Sequence, residues 1–215
     1  MVAIRVAASV VVIALRGSSL HVLAVGSPDG WTLPSLEIQS LVSPLADQLT
    51  SFLLRRTGLA PSVLHQAATI EEGGVDGQLR IAFYGLIREW YTNAEGVAWA
   101  DVYSVLPDAD RRAHSLHRSR EIELGDLDRY LVERVLERLR VDVLSAPVLA
   151  VLSPKTFTLS YLQELVESVL GRTLHTQNFR RLIRDSGLLA PARMQVKTGN
   201  GRPAELYSFV VPEAD

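Results

Sequence analysis

Apolar positions dominate the first quarter of the chain and then return in short runs. Val2 to Leu15 is one apolar run carrying a single arginine, Arg5. Arg16-Gly17-Ser18-Ser19 reads as a turn and Leu20 to Val25 as a returning strand, so the two runs predict a buried hairpin. Val63 to Ala68 and Leu79 to Arg88 have strand character around a polar, Gly-rich loop, Glu71 to Gly77. Asn93 to Gly96 is a turn before Val97 to Ser104, which holds Trp99 and Tyr103, and Asp108 to Arg120 is a charged loop.

From Glu121 to Leu144 the period changes to that of a long amphipathic helix. Leu127, Leu131 and Val135 run down one side, and Val132, Leu136, Leu139 and Val143 down the adjacent side. That stripe is wider than one neighbour needs. It predicts either simple packing on a sheet or a contact between two copies. Pro147 and Ser153-Pro154 punctuate a hinge, which puts a domain boundary near 145–152.

The last segment, Phe157 to Phe209, has the order helix, turn, helix, hairpin. Thr158 to Leu170 predicts a helix: Ser160-x-x-Gln163 has capping-box spacing, and Leu162, Leu165, Val166 and Val169 recur at helical intervals. Gly171 stands where a helix end wants a left-handed residue. A second helix is expected from an N-cap at Thr176 to a stop at Gly187, with Phe179, Leu182 and Ile183 as its apolar stripe. Gln177, Arg180, Arg181 and Arg184 share its other face, and Asn178 stands beside them. Guanidiniums and amides suit phosphates and base edges. Thr198-Gly199-Asn200-Gly201 is a turn between two strand-like flanks, with Lys197 and Arg202 beside it. That is the composition of a wing laid against a phosphate backbone.

Charge sharpens this picture. Residues 172–202 hold seven Lys or Arg against one acid, a net +6, whereas the chain of 215 residues is −2 overall. The basic charge is a local footprint, as nucleic-acid binding requires. The 47% apolar content suffices for two cores, and the absence of cysteine excludes disulfides and thiolate metal sites and suits a cytoplasmic setting. Val2 to Leu15 is too short to span a bilayer and is not followed by a small-residue cleavage site, so neither a signal peptide nor a membrane anchor is expected. His114-x-x-His117 is half of a metal site that nothing completes, and no metal is expected.

Three motifs then carry a resemblance. Thr-Phe-Thr-Leu at 156–159, Leu-His-Thr-Gln-Asn-Phe-Arg-Arg-Leu-Ile at 174–183 and Gly-Arg-Pro-Ala-Glu-Leu-Tyr at 201–207 resemble the winged-helix half of the Nudix-related transcriptional regulators. These are the NrtR and NadQ groups that control NAD-synthesis genes in bacteria, and the NadQ-like pattern is the nearer. The resemblance implies a Nudix-like ligand sensor at 1–148, including the linker or dimer helix 121–144, ahead of a winged helix at 149–215. The fold class implied is an α/β (α+β) Nudix-like sandwich followed by a winged helix-turn-helix. Thr158, Ser160, Thr176, Gln177, Asn178, Arg180, Arg181, Arg184, Lys197, Thr198, Asn200 and Arg202 are the residues it points toward DNA.

A Nudix hydrolase carries G-x5-E-x7-R-E-U-x-E-E-x-G-U, whose glutamates hold divalent cations against a pyrophosphate. Here Leu33-Pro34 and Thr57-Gly58-Leu59 keep the ends of that box. Counting back from Gly58, its glycine position is Glu37, its first acid is Ser43, its R-E pair is Ser51-Phe52 and its final E-E pair is Arg55-Arg56. Arginines cannot bind Mg²⁺, yet they suit the phosphates that the metal bridged. They also suit the negative end of a helix. The expected activity is therefore sensing without hydrolysis, and a nucleotide pyrophosphatase would need a relocated metal site. Arg5, Trp31, Arg55, Arg56, Arg80 and Tyr84 are the expected ligand contacts. No cofactor is expected. The effector implied is ADP-ribose, NAD or ATP, and the partner a near-palindromic double-stranded operator bound by a homodimer. A sensor of a sugar or another metabolite on the same architecture stays open.

Overall fold

The structure, a computed structural model, describes residues 5–40, 43–72, 77–88, 90–106, 122–196 and 204–210, with backbone alone at 193–196. Two strands open it, β1 (Arg5–Arg16) and β2 (Ser19–Ser27), joined by a tight turn in which Gly17 has φ 60°. They pair antiparallel with Ile13 opposite Val22, forming the expected hairpin. β1 is buried on both faces from Ala7 to Ala14, which explains its unbroken apolar run. Short strands β3 (Gly30–Thr32) and β4 (Ser35–Glu37) follow, then helix α1 (Leu45–Thr57), which ends on left-handed Gly58.

Strand β5 (Val63–Glu72) pairs antiparallel with β6 (Gln78–Leu86), and β6 lies parallel to β1. β7 (Val97–Asp101) leads directly into a single helical turn, α2 (Val102–Val105). The mixed sheet runs β3-β2-β1-β6-β5, with β4 paired to β1 and β7 to β2. Each face of it is covered. Ala8, Val10, Val12, Leu23 and Phe83 pack with Leu49 and Leu53 of α1. Val11, Ile13, Ala82, Tyr84 and Leu86 pack on the other side, against α3 (Asp126–Asp142).

α3 begins five residues later than its period suggests. Leu124 forms a bridge with Trp31, and Asp128 accepts from Leu33 N (3.0 Å) and Thr32 Oγ1 (2.7 Å), so tertiary contacts set this end. Leu131, Val132, Val135, Leu136 and Leu139 are buried within the chain. The wide stripe therefore serves the sheet and the C-terminal helices together, which is the simple-packing alternative enlarged.

The expected hinge is instead a helix, α4 (Ala146–Leu152), because Pro147 occupies the first turn, where a missing N–H costs nothing. Arg88 donates to the carbonyls of Ala150 and Val151, tying α4 to the end of β6. Then come α5 (Leu159–Leu170), α6 (Thr176–Asp185) and the ribbon β8 (Leu189–Val196) with β9 (Ala204–Phe209). Phe157 bridges to Tyr207 at the base of the ribbon. Phe157, Leu162, Leu165, Val166, Phe179 and Ile183 join the same continuous core as Ile13 and Tyr84. Among the described residues no helix is long and apolar enough to cross a membrane.

Candidate nucleic-acid interface and effector site

The C-terminal unit is built around α5. Its N-cap is Thr158, whose hydroxyl accepts from Tyr161 N, rather than the predicted box led by Ser160. The Gln163 amide turns away from that end to Glu167 (2.8 Å), Leu174 O (3.1 Å) and Thr176 Oγ1 (3.3 Å), bracing the turn between the helices. Gly171, with φ 69°, closes α5 as expected.

α6 starts one residue after His175, and Thr176 is its first residue rather than its cap. Phe179 and Ile183 bury its inner side, but Leu182 is exposed, so the apolar stripe is two residues wide instead of three. Gln177, Asn178, Arg181 and Arg184 stand exposed on the outer side. Arg180 is half-buried, and its Nη2 donates to Ser160 Oγ at 3.3 Å, so it links the two helices as well as facing outward. Arg184 lies beside the Tyr207 hydroxyl, whose pKa is raised first by its hydrogen bond to Glu205 (2.6 Å) and then by burial. Lys197, Thr198, Asn200 and Arg202, the wing-tip residues, lie outside the described residues, as do His114 and His117.

Residues 150–209 match the family model of the NrtR DNA-binding winged helix domain. This segment is similar to the NrtR winged helix. The match begins inside α4 and takes in α5, α6 and both strands of the ribbon. The chain as a whole has the fold of NrtR, a Nudix-like domain joined to that winged helix. It superposes on Shewanella oneidensis NrtR complexed with a 27mer DNA with a TM-score of 0.74, at 22% identity, over 95% of this chain and 93% of that one. A MutT/nudix family protein from Enterococcus faecalis gives a TM-score of 0.66 at 16% identity, over 95% and 86%. A curated relative, the ADPR responsive transcriptional repressor NtrR of Acinetobacter baylyi, is 25% identical over 171 residues. The matched region is 76% of this chain but only 62% of that repressor.

In the Nudix-like part the predicted ligand contacts do not converge. Arg55 is exposed at the end of α1, while Arg56 Nη2 donates to Gly26 O at 3.0 Å and so anchors the helix end to β2. Arg80 pairs with Glu72, and its Nη1 donates to Ser9 Oγ (2.9 Å) and Ser35 Oγ (2.7 Å). Its charge is therefore already matched.

Tyr84 is a correction. Tyr84 is fully buried beneath α3 and its hydroxyl donates to Asp142 Oδ2 at 2.8 Å, so it is a core residue and not a pocket wall. Burial, followed by the bond to Asp142, pushes that phenol well above its ordinary range. Trp31 is half-buried and packs one side against the α3-side core. Arg5 lines a pocket of about 180 Å³ together with Glu37, Gln39 and Gln78. Glu37 there occupies the position of the first box glycine.

Sequence reasoning passed over Ser9, a buried polar residue inside an apolar strand, which was the available signal for the Arg80 cluster. It also passed over the joint between the two units. The Tyr103 hydroxyl donates to Ser168 O (2.8 Å), Arg140 Nε to Val169 O (3.3 Å), and the Ser168 hydroxyl to Ser18 O (2.6 Å). The first two bonds satisfy carbonyls at the end of α5, where Arg140 also places a cation at the negative pole, and the third ties α5 to the β1–β2 turn. Nothing in the local sequence pairs these residues, because the fold alone brings them together. Among the described residues no three of His, Cys, Asp or Glu cluster as a metal site.

Proposed function

We propose that this chain is a DNA-binding transcriptional repressor whose Nudix-like domain senses a nucleotide without hydrolysing it. The single observation that carries this is the outer face of α6. It offers Gln177, Arg181 and Arg184 to solvent from a helix held rigidly by Phe179 and Ile183. A recognition helix lies in the major groove with such side chains on base edges and phosphates. Thr158, Ser160, Thr176, Asn178 and Arg180, with Lys197, Thr198, Asn200 and Arg202 of the wing, are the further DNA contacts of this reading. The working unit is a homodimer on a near-palindromic operator of NAD-synthesis genes, in the cytoplasm.

ADP-ribose is the preferred effector, ahead of NAD and ATP, because the Acinetobacter baylyi relative is named as ADPR responsive. The box positions Ser43, Phe52, Arg55 and Arg56 have no carboxylate to hold a catalytic cation, which supports sensing over turnover. Arg5, which lines the pocket, and Arg55, which is exposed, are the phosphate contacts of this reading. The effector acts by binding one arrangement of the two units better than the other. The Arg80–Glu72 pair favours a second reading, in which the pocket has drifted to a sugar or another metabolite, since that arginine no longer offers an unmatched charge.

Fluorescence anisotropy tests the proposal, using DNA from the chain's own upstream region and from an NAD-synthesis promoter, with random DNA as control. Specific binding that ADP-ribose, NAD or ATP weakens or strengthens is the expected result. Specific binding indifferent to all three keeps the regulator and discards the NAD-linked sensor. Binding no tighter than to random DNA discards these operators, and Mg²⁺-dependent release of AMP from ADP-ribose would replace sensing with hydrolysis.

A further inference from the structure

α3 buries one face completely, and its outer side carries Glu133, Glu137 and Arg138 in solvent beside a row that is largely apolar. Along the outer face, at alternating spacings of three and four, stand Leu127, Tyr130, Arg134, Glu137, Val141 and, on the turn just beyond the helix, Leu144. Four of the six are apolar and open to solvent, from 37% exposed at Leu127 through 39% at Leu144 and 44% at Tyr130 to 76% at Val141. Isolated surface apolar residues need no explanation, but a continuous seam at this spacing is the signature of a helix that pairs.

The order of the seam is self-complementary. Laid antiparallel on itself, Leu127 faces the partner's Leu144, Tyr130 faces the partner's Val141, and Arg134 faces the partner's Glu137. Apolar meets apolar in the outer layers, and opposite charges meet in the middle. A parallel copy would set arginine on arginine and glutamate on glutamate, which repel. Arg134 is also held ready. Its guanidinium lies 5.2 Å from the centre of the Tyr130 ring and 2.8 Å from Glu137 of its own chain, while its Nε, buried, has no hydrogen-bond partner among the described residues. A buried donor without a partner is costly unless a further group arrives.

We infer that the outer face of α3 is the two-fold, antiparallel contact between two copies of this chain. The inference deepens the proposed dimeric repressor and rests on that reading for its role: an isologous contact of this kind relates the two α6 helices by the same axis that a palindromic operator has. It needs no partner of another kind, since the face already complements itself in shape of sequence and in charge.

The test uses the full chain, which has no cysteine of its own. Sedimentation equilibrium is run on the wild type and on Val141→Glu, with thermal unfolding as the check on folding. The expected result is a wild-type dimer whose dissociation constant rises about tenfold or more in the variant, because a carboxylate is driven into the apolar layer. In parallel, a Leu127→Cys/Leu144→Cys double variant is oxidised. A covalent dimer from the double variant, with little from either single variant, is the antiparallel result. Seventeen residues of helix hold the two positions about 25 Å apart, too far for a bond within one chain.

A wild-type dimer that survives Val141→Glu and gives no such crosslink overturns this interface and leaves the dimeric repressor standing. Equal crosslinking through Leu127→Cys alone overturns the antiparallel order. A wild type that is monomeric both free and on operator DNA removes the dimer and the interface together.

Discussion

The Tyr103 hydroxyl donates to the carbonyl of Ser168, 2.8 Å away and 65 residues further along the chain. One residue belongs to the turn of helix beneath the sheet, the other to the last turn of the first winged-helix helix. Val169 O lies 3.2 Å from the same hydroxyl, and a side chain at Gly171 would meet that hydroxyl at 3.1 Å. The joint is therefore close-packed, and Gly171 is required both by its positive φ and by the lack of room.

Tyr103→Phe removes the donor and leaves half-buried carbonyls without it. The cost expected in urea unfolding is about 1–3 kcal/mol. If the joint also transmits the effector signal, the same variant reduces the change in operator affinity that the effector produces. Unchanged unfolding would show that solvent or Arg140 satisfies those carbonyls instead.

Asp142 joins α3 to the sheet through Tyr84, and Arg138 Nε also donates to it at 2.8 Å. Since the Tyr84 proton goes to Asp142, the His65 Nδ1 found 2.8 Å from the Tyr84 oxygen acts as donor. Burial by itself raises the Asp142 pKa, but the hydrogen bonds from Arg138 and Tyr84 outweigh it and hold the carboxyl below its ordinary range. A depressed folded pKa adds stability above the unfolded value, about 3.9 for aspartate, and loses it as pH falls through the folded one. Unfolding curves between pH 7 and pH 3 should therefore converge for wild type and Asp142→Asn at the acid end. A constant gap across that range would remove Asp142 from the pH dependence.

Arg181 is exposed on the outer face of α6. Arg181→Ala should weaken specific operator binding by about 1–3 kcal/mol if it reads a base, with random DNA less affected. A uniform loss on all sequences with a flatter salt dependence would assign it to phosphate. No change in either would take it out of the interface.

Thr158 caps α5, whereas the Ser160 hydroxyl only receives a long contact from Arg180. Thr158→Ala should cost about 1 kcal/mol in urea unfolding, and Ser160→Ala should be close to neutral in stability. The reverse ranking would restore the capping role to Ser160.

The sequence by itself determined the elements whose information is local. The β1–β2 hairpin follows from β-branched runs around a turn, and the helix–turn–helix order from the spacing of Leu162, Leu165, Val166 and Val169 and from Gly171. The basic outer face of α6 was legible because helical geometry alone puts Arg181 and Arg184 together. What tertiary structure decided is what distant segments do to each other. α3 starts at Asp126 because Asp128 reaches back 95 residues to Leu33 N, and periodicity carries no record of that bond. Arg80 faces inward to Glu72, Ser9 and Ser35, and Tyr84 went to the core, because a side chain's partner depends on which strands become neighbours. The wide apolar stripe of α3 was visible in the sequence. Only the packed fold showed that the chain buries Leu131, Val132, Val135, Leu136 and Leu139 of it itself, while Tyr130, Val141 and Leu144, outside that stripe, stay exposed.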